Sequence, residues 1–273
     1  MRVAVLGTGI MGGTTRRLGL LGCVLLAAGC GSTVRHASAP PQKHVAPVTR
    51  STETAVVRRC AAGAVEQLGS SRRAYVAFAP RGAVAYRRPG HGVVARFGRA
   101  NVNGYPTLFG VLAKRVGSDC RARWYRVELP IRPNGASGWI SARAVRLTAV
   151  RARIDIDLAR RRLTLFRGGR RLFSATVAVG APATPTPTGR FYVNQILVPE
   201  DPNGPFGPAA LGISAYSPVL TGWAQGGPVA IHGTDEPWSI GHAVSNGCIR
   251  LPNATLSRLV RAAAAGTPVI IHA

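Results

Sequence analysis

The sequence predicts a mainly β protein with two folded regions: a small β-barrel over 73–148, then a β-rich domain over 150–273 that carries one short helix near its end. Three observations predict this. Short runs alternating apolar and polar residues recur from Ala74 to Val193, each broken by Gly or Pro, as half-buried strands require. Arg162–Arg167 and the run from Arg170 to Val179 flank Gly168-Gly169, the chemistry of a two-residue hairpin turn. Ala254 to Ala265 reads as a helix, with Asn253 placed to cap it and Gly266 to end it.

Taken in order, the chain opens on Val3-Ala4-Val5-Leu6-Gly7-Thr8-Gly9-Ile10-Met11-Gly12, a strand-like run with the GxGxxG spacing of dinucleotide sites. The rest of that fold is missing. No acid precedes Glu53, and Arg16-Arg17 lead straight into the apolar run Leu18–Gly29. A basic segment before a short apolar one is a secretory signal, too short to span a membrane comfortably. Starting at Met11 would give a more ordinary signal. Residues 1–30 end in Leu26-Ala27-Ala28-Gly29-Cys30, which resembles the lipobox of bacterial lipoproteins, with Ala27 where that pattern favours Leu. The resemblance implies an acylated Cys30, a lipid anchor and an exported protein at the outer face of the cytoplasmic membrane or in the wall. Residues 31–72 read as a tether, rich in Pro, Ser and Thr at first, with one short helix expected in the alanine-rich stretch around Cys60.

Charge is the loudest compositional feature: 35 basic against 10 acidic residues in 273, a net +25, with only two lysines. The arginines are scattered and no aromatic-interleaved RNA motif accompanies them, which argues against a nucleic-acid partner. Anionic wall polymers or lipid headgroups account for the charge equally well. No obligate protein partner is implied.

In the first folded region, Ala74–Phe78, Ala83–Tyr86, Trp124–Leu129 and Gly138–Ile140 read as strands, with turns at Pro80-Arg81-Gly82, Pro89-Gly90 and Pro130 to Gly135. The section from Trp124 to Val145 resembles the bacterial SH3-like domains that accompany cell-wall enzymes. Cys60 and Cys120 could pair in an oxidising compartment, which would leave Cys248 as a free thiol.

The second region begins near Val150. Arg153–Leu158, the hairpin, Phe191–Val193 and Thr267–Ile271 read as strands, and Pro182, Pro185, Pro187 and Gly189 stiffen a loop. The Gly- and Pro-rich residues 199–227 read as a substrate-covering loop that Tyr216 would line. Val229–His232 is a β-branched run delivering a histidine to Gly233, and sixteen residues on comes Cys248 in Ser245-Asn246-Gly247-Cys248-Ile249-Arg250. A thiol with an imidazole is a nucleophile with its general base, and an imidazolium is the usual means of holding the thiolate. Gly233 and Gly247 permit tight turns, and amides around Gly247 suit an oxyanion. In extended chain Arg250 stands on the thiol's face.

This stretch resembles the L,D-transpeptidase (YkuD) family, which carries His-Gly, a variable loop, then Ser/Thr-His-Gly-Cys with Arg or Asn two residues on. Asn246 departs, standing where the family most often has a second histidine, so the base falls to His232, with His242 the rival. The hairpin and Thr186-Pro187-Thr188-Gly189 extend the likeness over roughly 120 residues. It implies catalysis by Cys248 and His232, support from Gly233 and Gly247, and stem-peptide binding by Ser245, Asn246, Arg250 and Tyr216. It also implies 3→3 cross-linking of peptidoglycan through a thioester, with release of D-Ala and with no metal or organic cofactor. An L,D-carboxypeptidase using the same site and a non-catalytic wall-binding lipoprotein are the alternatives.

Overall fold

The computed structural model describes residues 2–3 and 60–273. Cys30 and the tether as far as Arg59 lie outside them. After β1 (Arg2–Val3) come β2 (Val65–Gln67), β3 (Ala74–Phe78), β4 (Ala83–Arg88), β5 (His91–Phe97), β6 (Leu108–Val116), β7 (Ala122–Glu128), β8 (Ser137–Ser141) and β9 (Arg146–Val150). Strands β2 to β9 form one eight-stranded sheet, ordered β5-β4-β8-β7-β6-β3-β9 with β2 beside β6. Alternation puts Ala77, Ala85, Phe109, Val111, Val127 and Ile140 together in its core. Among the described residues no helix follows Cys60: the chain turns through Gly63, at φ +85°, and enters β2. Cys60 and Cys120 form a disulfide, with Cα atoms 5.1 Å apart.

The C-terminal domain contains β10 (Ala152–Asp157), β11 (Arg162–Arg167), β12 (Arg170–Thr176), β13 (Val179–Gly180), β14 (Gly189–Val198), β15 (Ala210–Tyr216), β16 (Pro228–His232), β17 (Ala243–Ser245), β18 (Ile249–Arg250), α1 (Asn253–Ala262) and β19 (Pro268–His272). The main sheet runs β12-β11-β10-β19-β14-β15-β16-β18, and β1 pairs with β14. Two of its pairings are parallel, β10 with β19 and β16 with β18, and β13 pairs in parallel with β17 apart from it. The hairpin turns through Gly168 and Gly169, both at positive φ, as a primed turn demands.

Two expectations are corrected. The supposed covering loop 199–227 contains β15, whose first six residues are buried between β14 and β16. Small residues and Gly212 hid that strand, although Gly212 is needed there because a Cβ would come within 2.6 Å of the Gln195 side chain. The helix spans 253–262, and Asn253 does not cap it; its Oδ1 accepts from the Thr234 amide at 2.9 Å.

Arg151 alone separates β9 from β10, and the two domains share a core in which Val76, Tyr105 and Leu108 join Tyr192, Phe191 and Val269. Tyr192, fully buried, donates its hydroxyl to the Leu108 carbonyl at 3.0 Å. Glu128, also buried, takes a hydrogen bond from Arg190 at 2.8 Å. Residues 60–273 therefore belong to one compact unit.

Candidate active site

The parallel pairing of β16 with β18 builds the site. Ile231 lies opposite Ile249 and His232 opposite Arg250. Both isoleucines are fully buried, so the alternate residues occupy the other face of the pair. Continuing the register brings Cys248 level with Ala230, and the Ala230 amide donates to the Cys248 sulfur at 3.4 Å. Cys248, His232 and Arg250 thus share one face. The thiol and imidazole are set on adjacent strands two residues apart, a diagonal of roughly 8 Å between Cα atoms that two side chains can bridge. Among the described residues no direct thiol–imidazole hydrogen bond is present.

The charge states differ from the sequence expectation. Burial pushes the Cys248 thiol above its ordinary value, opposed by the Ala230 hydrogen bond and the nearby Arg250 charge. Burial also lowers His232 to about 4; the Arg250 charge adds to this, and the Gly233 and Pro205 carbonyls oppose it. At neutral pH the resting pair is therefore an uncharged thiol and an uncharged imidazole, not a thiolate held by an imidazolium. His232 Nδ1 lies 2.6 Å from the Gly233 carbonyl, which can only accept, so Nδ1 carries the proton and Nε2 the lone pair. The ring is 5% exposed and meets the Phe206 ring edge-on at 5.1 Å. The rival His242 is exposed, and its backbone is what the fold uses, bonding Val179 and Ser239.

The turn before Cys248 is assembled from both sides. Gly247 sits at φ +103°, where a side chain would be strained. Ser245, 2% exposed, donates to the Cys248 carbonyl at 2.5 Å and accepts from the Gly247 amide at 3.2 Å. Its hydroxyl, buried and with its proton spent on the Cys248 carbonyl, holds the turn closed. Sequence reasoning missed the brace on the far side. Thr186, 5% exposed, donates to the Gly247 carbonyl at 3.0 Å and accepts from the Gly180 amide at 2.8 Å. Thr184 donates to the Ser245 carbonyl at 2.9 Å. The threonines in the proline-rich run were visible, but nothing local says that they reach across 61 residues.

The oxyanion assignment shifts as well. The Gly233 amide donates to the Phe206 carbonyl at 2.9 Å, and the Gly247 amide is taken by Ser245, whereas the Cys248 amide has no partner among the described residues. Gly233 is needed for space, since a Cβ there would come within 2.2 Å of Asn253 Oδ1. Arg250 pairs with Glu236 through Nη1, and its buried Nε has no hydrogen-bond partner. Asn246 is exposed beside the thiol. Tyr216 faces the N-terminal module: its hydroxyl donates to the Pro130 carbonyl at 2.9 Å, and Arg132 stacks on its ring at 5.3 Å.

With this geometry in place, comparison with known proteins is informative. The YkuD family model, described as an L,D-transpeptidase catalytic domain, matches residues 151–271. The chain is 37% identical over 119 residues to the protein named "Putative L,D-transpeptidase YkuD" of Bacillus subtilis, covering 44% of this chain and 65% of that one. The Bacillus licheniformis protein of the same name is also 37% identical over 119 residues, covering 44% of this chain and 64% of the relative. The chain thus spans just under two thirds of the curated relatives it matches. Among solved structures, an L,D-transpeptidase from Mycobacterium smegmatis aligns over 64% of this chain and 93% of its own, with 18% identity and a TM-score of 0.36.

Proposed function

We propose that this protein, whose residues 151–271 match the YkuD family's L,D-transpeptidase catalytic domain, is a cysteine acyltransferase that forms 3→3 cross-links between peptidoglycan stem peptides. The observation that carries the reading is the shared strand face of free Cys248, buried His232 and Arg250 beside a turn held closed by Ser245. Cys248 Sγ attacks the carbonyl of the third stem residue while His232 Nε2 takes the thiol proton. Because both groups rest uncharged, this transfer accompanies the attack. The tetrahedral oxyanion is received by the Cys248 amide. Collapse breaks the amide, His232 returns the proton to the leaving D-Ala amine, and a thioester remains. The side-chain amine of a neighbouring stem attacks the thioester and loses its proton to His232, which passes it to the departing sulfur, so that the new amide forms and the thiol is restored. Water in place of the amine gives the carboxypeptidase outcome. In this reading exposed Asn246 and half-buried Arg250 meet the stem, and the N-terminal module, read as SH3-like, spaces the site from an acylated Cys30.

The test is interception of the acyl-enzyme. Disaccharide-tetrapeptide is mixed with the protein, quenched in acid, and the Cys248-containing peptide weighed. A thioester adduct equal to the donor less D-Ala, absent in Cys248→Ala, is expected. An unmodified Cys248 alongside measurable binding would favour the wall-binding reading, whose sequence support is Asn246.

A further inference from the structure

A cleft at the junction of the two domains gathers five arginines around about 490 Å³ of space: Arg72 and Arg73 before β3, Arg151 between the domains, Arg153 on β10 and Arg190 on β14. Neither Cys248 nor His232 lines it. Two of the five are neutralised: Arg153 makes paired 2.8 Å bonds to Asp155, and Arg190 bonds Glu128. Arg72, Arg73 and Arg151 have no carboxylate partner among the described residues. Arg72 is not merely a loose surface chain, because its Cγ packs on Gly169, where even a Cβ would come within 3.0 Å. The space continues past Arg72, Arg73 and Arg151 toward Tyr75 and Gly168, forming a trough.

Three unpaired guanidiniums in a concave site repel one another, and low-dielectric walls focus their field outward. A bound oxyanion relieves that repulsion, and planar guanidinium forks match phosphate geometry better than ammonium groups would. None of the exposed large apolar side chains lines the trough, so it offers nothing for insertion into a lipid surface. We propose that this cleft binds a phosphodiester-bearing polymer, an extended polyanion running between the two domains. Its strands β10 and β14 lie five and three places from β18, just before which Cys248 stands, roughly 14–24 Å across the sheet. The protein could thus hold such a strand while its thiol is occupied elsewhere; that consequence rests on the reading above, whereas the binding does not.

The test uses the full-length protein and fluorescent poly(glycerol phosphate), with affinity read by anisotropy over a salt series. The triple variant Arg72→Ala/Arg73→Ala/Arg151→Ala should bind about tenfold or more weakly and lose salt dependence. Its Cys248 alkylation rate should stay at the wild-type value. A control triple of exposed arginines away from the cleft, Arg81→Ala/Arg146→Ala/Arg261→Ala, should change little. Equal losses in both triples would reduce the binding to diffuse charge and overturn the site. Polyglutamate or anionic-lipid vesicles displacing the probe at lower concentration would overturn the assigned occupant, and absence of probe binding by the wild type would overturn the proposal outright.

Discussion

Thr186→Val removes one oxygen and almost no volume, so it isolates the brace behind Cys248. In the native site the hydroxyl answers two backbone groups, the Gly180 amide at 2.8 Å and the Gly247 carbonyl at 3.0 Å. Valine answers neither. Each unsatisfied group costs about 1–3 kcal/mol when water cannot reach it. Gly247 is buried and Gly180 partly so, which gives a loss of about 2–4 kcal/mol. For a unit of this size that is a fall in Tm of roughly 4–16 °C. Thr186→Ser keeps the hydroxyl and should lose about 1 kcal/mol or less. Because the Gly247 carbonyl is one residue from the thiol, the valine variant should also alkylate more slowly at Cys248, while the serine variant should not. Urea unfolding and thiol alkylation with iodoacetamide measure both effects. Valine and serine variants indistinguishable in stability and alkylation would refute the brace.

Four further predictions concern charge and covalent constraint. His232, at about 4 when folded against 6.5 when free, binds its proton more readily in the unfolded chain, so its contribution is intact above pH 6.5 and is lost as pH falls through 4. The total is about 3 kcal/mol, and His232→Gln should flatten that part of the stability–pH curve measured by urea titration. The same depressed value puts the acid limb of kcat/KM near pH 4; a limb at pH 6.5 would show that the imidazole is solvated in the working enzyme. Arg250→Gln withdraws a positive charge that lowers the thiol pKa, so the Cys248 alkylation midpoint should move to higher pH. Finally, Cys60→Ser/Cys120→Ser opens a loop of 60 residues, which chain entropy values at about 4 kcal/mol, and should lower Tm without changing alkylation at Cys248.

The pairing of Cys248 and His232 on one face was legible because its signal is local: a β-branched run ending in His232, and a glycine turn beside Cys248. The hairpin was legible for the same reason, since Gly168-Gly169 allows little else. What was hidden depends on distant partners. Ser245 looked like a substrate contact until the fold set its hydroxyl against its own turn, and Tyr216 looked like a lid residue until Pro130 and Arg132 claimed it. β15 was lost among glycines and prolines because its strand character comes from burial between neighbours and hardly at all from its composition. The uncharged resting state of Cys248 and His232 was also beyond the sequence, because burial sets it and burial belongs to the assembled fold.

The most direct measurement is product analysis by mass spectrometry after incubating the protein with purified disaccharide-tetrapeptide. The account predicts a cross-linked dimer short of one D-Ala, with its new bond between two third-position residues, and no such product from Cys248→Ala. Dimer formation at an equal rate by Cys248→Ala, or intact tetrapeptide after prolonged incubation with wild-type protein, would contradict it.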